Sequence, residues 1–352
     1  MLFSDLSFYK HKRVFVTGHT GFKGAWLCRV LQRAGALITG YALESEDGVV
    51  YNSIVDLSAI NSIINDIRNY AKLREAFEDA KPEIVFHLAA QPLVLDAYDR
   101  PAYTFDTNVQ GTVNLLECIR LSECTRSVVI ITTDKVYRND ERDYGYREND
   151  VLGGNEPYST SKACAELVAE VYNASYLRKR LVALSTARAG NVIGGGDISK
   201  NRIVPDCVRS AKRGEDIIVR NPYSVRPYQH VLEPVLAYLV IAQRQYENPD
   251  LAGKYNVGPD ETDCIKTSEL VDVFCNKWAD NQTWTHVKNV DAPHESGLLR
   301  LDCEKMRTVL GWVPIWNVQK AIASTVEWEK ATDKYDITNK QIEEYLNEFR
   351  NK

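Results

Sequence analysis

A chain of 352 residues with 44% hydrophobic content can bury a sizeable core, and this length suggests one large domain or two fused ones. Charged residues make up 26% of the sequence and are spread fairly evenly, which argues against an intrinsically disordered protein. The formal net charge of -5 argues against nucleic acid as a partner, although a few local arginines can still serve an anionic small substrate.

The eight cysteines and the N-terminal sequence indicate where the protein resides, and they give no sign of metal binding or thiol redox activity. No two cysteines form a C-x-x-C pair, so neither a zinc ribbon nor a thioredoxin motif is indicated, and no metal site is expected. Free thiols in apolar patterns suit a reducing cytosol, and we predict a cytoplasmic protein. The first residues are mixed and polar, so no signal peptide and no membrane partner are expected.

Strands and helices are predicted to alternate through the first 190 residues. The predicted strands are Arg13–Val16, Ala36–Leu43, Ile63–Ile67, Glu83–Ala90, Ser127–Thr133 and Val182–Ala189. The predicted helices are a stripe of Leu27, Val30, Leu31 and Ala34 that ends near Gly35, then Lys72–Ala80, Asn108–Leu121 and Tyr158–Tyr172. This alternation predicts an α/β fold, a Rossmann-type doubly wound parallel sheet with helices on both faces.

The pattern changes after about Asn191. The sequence becomes irregular there, with a run of three glycines and Asn-Pro turns. We interpret residues 1–190 as a dinucleotide-binding Rossmann domain. Residues 191–352 are interpreted mainly as a smaller C-terminal substrate-binding α/β domain, with some chain returning to the Rossmann domain.

Three glycines after the first strand predict a loop that binds a dinucleotide. The sequence there is Gly18-His-Thr-Gly21-Phe-Lys-Gly24, between a predicted strand and a predicted helix. Glycines let backbone N–H groups approach a pyrophosphate, and the helix N-terminus adds a favourable dipole. We therefore expect cofactor contacts from Gly18, Thr20, Gly21, Phe22, Lys23 and Gly24.

The second strand does not decide between NAD and NADP. An acidic residue at its end would hold the ribose hydroxyls and an arginine would suit a 2′-phosphate, but the sequence is Tyr41-Ala-Leu43-Glu44. Lys23 either touches the adenosine end, which mildly favours a phosphate, or is a solvated loop lysine. NAD is the expected cofactor, and NADP stays open.

A tyrosine and a lysine spaced for one helix face predict an oxidoreductase-type site. Tyr158 and Lys162 are four residues apart, and Thr133 ends the predicted fifth strand 25 residues before Tyr158. A lysine ammonium beside a phenol stabilises the phenolate and lowers a tyrosine pKa that is ordinarily about 10. Such a tyrosine can remove a proton from a sugar hydroxyl while hydride leaves the same carbon.

These motifs together resemble the nucleotide-sugar branch of the extended short-chain dehydrogenases, and within it the CDP-glucose 4,6-dehydratases. The likeness covers most of the chain, from about residue 13 to residue 312. Its most distinctive parts are the His-Thr-Gly-Phe-Lys-Gly loop and the Asp134-Lys135 pair, where related dTDP- and GDP-sugar dehydratases have Asp-Glu. The segments that carry it are VTGHTGFKGAWL, FHLAAQPLV, TTDKVY, GYRENDVLGG, EPYSTSKACAELV, ARAGNVIGGGD, RNPYSVRPYQHVLEP and LRLDCEKMRTVLGW.

The resemblance implies a dehydration rather than a net oxidation. Tyr158 would take the C4 hydroxyl proton as hydride passes to the nicotinamide. The 4-keto group then acidifies the C5 proton, and Asp134 would protonate the departing C6 hydroxyl. Hydride returns to C6 and leaves a 4-keto-6-deoxy sugar. Lys135 stands where close relatives use a glutamate base, so it acts as base or enolate stabiliser, or it forms only an ion pair with Asp134.

The resemblance also implies which other residues contact the ligands. The implied catalytic residues are Thr133, Asp134, Lys135, Tyr158 and Lys162. The further cofactor contacts are Asp66, Ile67, Leu88, Ala89, Ala90, Gln91, Asn108, Tyr158 and Lys162. The substrate contacts are Asn191, Arg202, Arg220, Arg226, His230 and His294, of which the arginines suit a diphosphate because their planar fork binds two oxygens at once.

Some positions depart from the family pattern, and two other functions stay open. Gly196-Asp197-Ile198 replaces Gly-Gly-Asp-Trp, Arg226-Pro227-Tyr228 replaces Arg-Pro-Trp, and Leu95 stands where an arginine is common. The resemblance places these changes at the border of the substrate pocket. A nucleotide-sugar epimerase would not need Asp134, and a non-catalytic dinucleotide-binding regulator would not need Tyr158. The family also implies a homodimer, which the helices Asn108–Leu121 and Tyr158–Tyr172 could form.

Overall fold

The computed structural model describes residues 6–45, 49–287 and 298–351. The strands in these ranges are β1 (Arg13–Thr17), β2 (Leu37–Ala42), β3 (Ile60–Ile64), β4 (Ile84–His87), β5 (Ser127–Thr133), β6 (Ala183–Ala189), β7 (Asn191–Ile193), β8 (Ile217–Val219), β9 (Val225–His230), β10 (Lys254–Val257), β11 (Cys264–Lys266) and β12 (Trp284–His286). The helices are α1 (Phe22–Arg33), α2 (Val49–Ile54), α3 (Tyr70–Ala80), α4 (Val94–Asp99), α5 (Pro101–Phe105), α6 (Gly111–Leu121), α7 (Pro157–Tyr172), α8 (Ile203–Arg213), α9 (Leu232–Glu247), α10 (Thr267–Trp278), α11 (Val318–Lys330) and α12 (Lys334–Arg350).

A seven-stranded parallel sheet forms the centre of the molecule, in the order β10-β6-β5-β4-β1-β2-β3. Chain order reverses between β1 and β4, so their carboxyl ends border the crevice where sheets of this kind bind ligands. Every residue of β4, β5 and β6 is buried, because helices cover both faces of a parallel sheet. The predicted Rossmann-type doubly wound fold is confirmed.

Two apolar cores lie on opposite faces of this sheet. One contains Trp26 of α1, Leu236 of α9 and Ile342 of α12. The other contains Leu116 of α6 and Ala169 of α7. Helix α7, which carries Tyr158 and Lys162, therefore belongs to one of the helical layers that cover the sheet. This packing fixes the distance between α7 and β5.

The smaller sheets lie in the second half of the chain. One has the order β11-β9-β7 and the other pairs β12 with β8. A separate core beneath them contains Val208 of α8, Phe274 of α10 and Ile322 of α11. Strand β10, in contrast, pairs with β6 and returns the chain to the main sheet.

The observed elements correct three details of the predicted ones. The fourth strand is Ile84–His87 rather than Glu83–Ala90, so it ends three residues earlier than predicted. The third strand is Ile60–Ile64 rather than Ile63–Ile67, because this edge strand is half exposed and its apolar pattern is weak. The helix predicted at Asn108–Leu121 is the last part of a longer helical stretch. This stretch starts with α5, continues through a π-helical turn at Asp106–Gln110 and ends with α6. Within the described ranges, every helix is too short or too polar to cross a membrane.

Candidate active site

The glycine loop after β1 has the shape that a pyrophosphate requires. Gly18 has a φ of 74°, and a Cβ there would lie 2.7 Å from the backbone nitrogen of Ala89. A Cβ on Gly24 would lie 2.1 Å from the carbonyl oxygen of Gly18, so both positions need glycine. Gly21 differs, because a Cβ there would approach only Gly18 O, at 3.5 Å. Gly21 therefore faces open space at the start of α1.

The N-terminus of α1 can receive an anion. Its N-cap is Gly21, and no side chain among the described residues caps it, so the first backbone N–H groups of the helix stay available. Thr20 donates a hydrogen bond to the carbonyl of Leu43 at 2.8 Å, which ties the loop to the end of β2. The predicted loop residues are thus brought together, and a dinucleotide pyrophosphate fits them.

Lys23 lies within electrostatic range of two residues predicted to be catalytic, Lys162 and Asp134. Burial lowers the pKa of Lys23 to about 7, and the charges of Lys162 and Arg202 lower it further, whereas Asp134 opposes them. These charges act on the Lys23 ammonium from the carboxyl end of β5 and from the loop that carries Arg202. The contact of Lys23 with the cofactor stays a prediction.

The remaining predicted cofactor residues divide into two groups. Leu88, Ala89 and Ala90 follow β4 and are partly exposed beside the glycine loop. Asp66 follows β3, with its carboxylate 2.7 Å from the Arg68 guanidinium. Ile67 is only 5% exposed and packs where a Cβ on Gly111 would lie, so its side chain does not face a ligand.

Gln91 and Asn108 support the loop instead of lining it. Both side chains are buried. Asn108 accepts a hydrogen bond from Gln91 N at 2.8 Å, and its amide group donates to Ser161 of α7 at 2.8 Å. The Gln91 amide donates to the Thr104 hydroxyl at 2.9 Å. The two side chains therefore support the loop, and the contact of these residues with the cofactor stays a prediction.

Asp134 is a buried carboxyl at the end of β5. Its Oδ1 accepts a hydrogen bond from the Thr133 hydroxyl at 2.9 Å and lies 3.6 Å from Lys135 Nζ, so the ion pair that the sequence allowed is present. Its Oδ2 has no hydrogen-bond partner among the described residues and would lie 3.2 Å from a Cβ on Gly190. A buried carboxylate oxygen without a partner is costly, and such a position suits exchange with a ligand.

Tyr158 and Lys162 lie on α7 above this carboxyl. Burial raises the pKa of Tyr158 to about 12, while the Arg202 guanidinium and a hydrogen bond with Thr133 lower it. Burial also lowers the pKa of Lys162 to about 8, and the charge of Glu166 opposes that shift. The Lys162 ammonium donates to the carbonyl of Ile131 at 3.0 Å. The net shift of the Tyr158 pKa is therefore upward in this structure, because desolvation outweighs the nearby charges.

The predicted arginines surround a polar loop between β7 and α8. Arg202 Nη1 lies 3.2 Å from Asp197 Oδ2, and Arg220 Nη2 lies 3.4 Å from Asp206 Oδ2. Both guanidinium groups are about two-fifths exposed. Because Arg202 also acts on Tyr158, it connects this loop to the catalytic helix.

The other predicted substrate residues have different positions. Asn191 begins β7 and Arg226 lies on the adjacent strand β9, both partly exposed. His230 has no exposed surface, and its ring packs 5.7 Å from that of Trp26 and 4.9 Å from that of Trp316. His230 is therefore a core residue, which corrects its predicted contact with substrate. His294 lies outside the described residues.

Sequence reasoning missed a buried ion pair behind the site. Arg188 and Glu166 are both fully buried, with Arg188 Nη2 2.8 Å from Glu166 Oε2. Two signals pointed to it. Arg188 is a charge inside the otherwise apolar strand β6, and Glu166 follows Lys162 by one helical turn on the same face.

Comparisons with known proteins agree with this geometry. Residues 14–258 match the NAD dependent epimerase/dehydratase family. A CDP-glucose 4,6-dehydratase of Salmonella typhimurium is 44% identical over 97% of this chain and 98% of its own length. A dTDP-glucose 4,6-dehydratase of Haemophilus influenzae is 25% identical over 90% of this chain and 97% of its own length.

Solved structures share the fold at lower identity. A dTDP-glucose 4,6-dehydratase of Bacillus anthracis in complex with NAD has a TM-score of 0.77 and 21% identity, covering 92% of this chain and 97% of its own. A UDP-glucose 4-epimerase of Thermus thermophilus in complex with NAD has a TM-score of 0.79 and 23% identity, covering 91% and 99%. From the extent of the family match and of the 44% identity, the chain belongs to the NAD dependent epimerase/dehydratase family.

Proposed function

We propose that this protein is an NAD-dependent lyase that converts CDP-glucose to CDP-4-keto-6-deoxyglucose. The observation that carries the proposal is the buried Asp134 carboxyl, which lies beside Thr133 and Tyr158 and has one oxygen without a partner in the part of the chain that the structure describes. C4 epimerisation needs the tyrosine but no second acid, whereas loss of the C6 hydroxyl needs one. The 44% identity to a CDP-glucose 4,6-dehydratase, against 25% for a dTDP-glucose enzyme, supports the nucleotide.

The cofactor would be held at the crevice between β1 and β4. Gly18, Gly21 and Gly24 leave room for the pyrophosphate at the N-terminus of α1. Glu44, which is exposed just after β2, can accept hydrogen bonds from the adenosine ribose, and that position favours NAD. When bound, NAD accepts a hydride from the sugar and returns it later.

Three residues carry the oxidation half of the reaction. Tyr158 takes the proton of the C4 hydroxyl, and Thr133, which hydrogen-bonds to Tyr158, orients that phenol. The cations Lys162 and Arg202 favour the phenolate that the transfer requires, because positive charge stabilises it. Their effect must offset the burial that raises the pKa of Tyr158 to about 12.

Two residues carry the elimination. Asp134 delivers a proton from Oδ2 to the departing C6 hydroxyl, since Oδ1 is occupied by Thr133 and Lys135. Lys135, with a side chain about one-third exposed, either takes the C5 proton as the base or, as an ammonium, stabilises the enolate while solvent takes that proton. A proton returns to C5 when hydride is delivered to C6. Both side chains follow β5 directly, so one backbone turn holds them.

The second half of the chain would bind the nucleotide sugar. Arg202 and Arg220 each form an ion pair with a carboxylate in this structure, and a bound diphosphate can take the place of that carboxylate. The planar guanidinium group suits a diphosphate because it can bind two oxygens at once. Asn191 and Arg226 are partly exposed on the adjacent strands β7 and β9 and would contact the same ligand. In this division of roles, residues 1–190 bind the cofactor and residues 191–352 mainly bind the substrate.

The proposed function is tested by supplying three substrates to the purified protein. We expect CDP-glucose to be dehydrated with a higher kcat/KM than dTDP-glucose or GDP-glucose, with the 4-keto product read by its absorbance in alkali. Equal or greater turnover of either other nucleotide sugar would refute the CDP assignment but not the dehydratase assignment. A C4 epimer without keto product would instead identify an epimerase.

We also propose a homodimer in the cytoplasm. Leu167 and Val171 are more than half exposed on one face of α7, and Tyr98 of α4 adds a third exposed apolar side chain. Exposed apolar side chains on neighbouring helices suit an interface between identical subunits. The cysteines are all free, which suits a reducing compartment. Sedimentation velocity of the wild type and of Leu167→Glu/Val171→Glu tests the interface, and an unchanged sedimentation coefficient in the variant would refute it.

A further inference from the structure

A closed hydrogen-bond network lies directly behind the proposed catalytic residues. The two oxygens of Glu166 accept hydrogen bonds from the Thr132 hydroxyl at 2.6 Å and the Thr186 hydroxyl at 2.8 Å. Arg188 donates to both oxygens, from Nε at 3.0 Å and from Nη2 at 2.8 Å. Each oxygen of the buried carboxylate thus accepts two hydrogen bonds. These bonds connect α7 to β5 and β6.

The same arginine also holds a segment on the substrate side of the sheet. Arg188 Nη1 donates to the Tyr137 hydroxyl at 2.8 Å and to the carbonyl of Glu148 at 3.0 Å. The Tyr137 hydroxyl donates in turn to Asn256 of β10 at 2.6 Å. One guanidinium therefore links the catalytic helix to the chain that follows Asp134.

Stability alone does not account for a pair in this place. Removing two charges from water is expensive, and apolar residues of similar volume often stabilise a core equally well or better. Glu166 and Arg188 are nevertheless fully buried. Glu166 lies one helical turn beyond Lys162, and Thr132 immediately precedes Thr133. The pair thus meets both chain segments that carry the proposed chemistry.

We propose that the Glu166–Arg188 pair is a positioning element of the active site, which acts through Lys162 on α7 and through the end of β5. The proposal rests on the proposed function for its kinetic consequences. Geometrically, the network fixes the height of α7 above the sheet, and with it the distance from Tyr158 to Thr133. A displacement of about 1 Å at a reacting group can cost about a hundredfold in rate.

The pair also supplies charge to Lys162. Glu166 raises the pKa of the Lys162 ammonium against the effect of burial. Two other titratable groups interact with this ammonium, Lys23 at the start of α1 and His87 at the end of β4. The positive charge of Lys162 lowers the pKa of both groups. Without the Glu166 carboxylate, the ammonium keeps its hydrogen bond to the carbonyl of Ile131 but loses the negative charge that opposes the effect of burial.

The first test substitutes Glu166→Gln, which keeps the shape and removes the charge. We expect kcat to fall by at least about tenfold while KM for CDP-glucose changes by less than about threefold. The alkaline limb of the kcat–pH profile should move to lower pH, because Lys162 then loses its proton more readily. A structural defect alone would lower the amount of folded enzyme without moving that limb.

Two further variants allow for poor folding of Glu166→Gln. Glu166→Leu/Arg188→Met replaces the pair by apolar groups, and we expect a native Tm with kcat still low and the alkaline limb still shifted. Wild-type kcat with an unmoved limb in either folded variant overturns the proposal. Thr132→Val removes one hydrogen bond and no charge, so it tests the geometry alone. If neither charge-removing variant folds, wild-type kcat in Thr132→Val overturns the proposal.

A measurement without sugar separates this proposal from the proposed function. NAD affinity is measured by calorimetry as pH rises, in the wild type and in Glu166→Gln. We expect the wild type to lose affinity at higher pH than the variant, because Lys162 is a proposed cofactor contact that must be charged. A wild type inactive on CDP-glucose would refute the proposed function, whereas identical pH dependence of NAD binding would refute the positioning role.

Discussion

Two proton-handling groups meet at the end of β5 with opposite demands on their surroundings. Tyr158 must lose its proton, and burial opposes this by raising its pKa to about 12. Asp134 must donate a proton, and its buried Oδ2 is the carboxylate oxygen left without a partner among the described residues around it. Thr133 hydrogen-bonds to both side chains, so one hydroxyl couples the two positions.

Removing the phenol should abolish the first proton transfer. We expect Tyr158→Phe to lower kcat by about a hundred- to ten-thousand-fold, the usual contribution of a positioned acid or base. NAD affinity should stay within a few fold, because the glycine loop is untouched. Turnover and calorimetric NAD binding check this pair of outcomes. Near-native turnover would mean that α7 is not the catalytic helix.

Asp134→Asn should separate oxidation from elimination. The first half-reaction does not use Asp134, so reduced nicotinamide should appear on rapid mixing with substrate. An amide cannot deliver a proton as a carboxylic acid can, so the keto-deoxy product should not follow. Stopped-flow absorbance of the reduced cofactor and the keto-product assay measure the two halves. Product at an unchanged rate would show that another group is the acid, and would weaken the case against an epimerase.

Helix α7 starts next to the catalytic tyrosine with an unusually complete cap. Glu156 accepts hydrogen bonds from Tyr158 N at 2.6 Å and Ser159 N at 2.7 Å, and Pro157 occupies the first turn. Proline is preorganised for that position and lacks the N–H that a first turn leaves unpaired. The cap therefore fixes the backbone of Tyr158 as well as the start of the helix.

We expect Glu156→Ala to lower the free energy of unfolding by about 1 kcal/mol, the usual cost of a lost N-cap. Because Tyr158 N loses its acceptor, kcat should fall more than KM rises. Urea unfolding and steady-state kinetics check both effects. Glu156→Asp is the matched control, since a shorter carboxylate can still cap and should recover most of the loss. Equal defects in both variants would contradict a capping role.

The elements differed in how well the sequence predicted them. Strand β5 was predicted with its observed bounds, because seven consecutive buried residues give a strong signal. Strand β3 was misplaced by three residues because an edge strand buries little. Strand β10 was not predicted, since four residues carry too little pattern to indicate pairing with distant β6.

Side-chain environments were harder to predict than the motifs. His230 was assigned to the substrate by its place in a sequence segment, yet its side chain lies in the core. Its position depends on packing between elements that are far apart in the chain. Sequence signals mark Glu166 and Arg188 separately, but their contact joins a helix to a strand, so only the fold shows that they pair.

At the scale of the whole molecule, three histidines that are buried within the described ranges make the stability of the fold depend on pH. His19, His87 and His230 are each at most 2% exposed. Burial lowers the pKa of His19 to about 4 and those of His87 and His230 to about 3. The folded protein therefore keeps all three neutral at pH values where the unfolded chain, with a pKa near 6.5, binds protons.

This difference predicts a loss of stability in mild acid. Above about pH 6.5 neither state binds these protons, so the histidines have no effect. Below it, each costs roughly 1.4 kcal/mol per pH unit until its folded pKa is reached, or about 4 kcal/mol per unit for the three. Urea unfolding at several pH values between about 7 and 5 measures the slope. His230→Phe, which keeps an aromatic ring between Trp26 and Trp316, should remove about one-third of the histidine contribution. A variant slope equal to that of the wild type would show that His230 is protonated in the folded state.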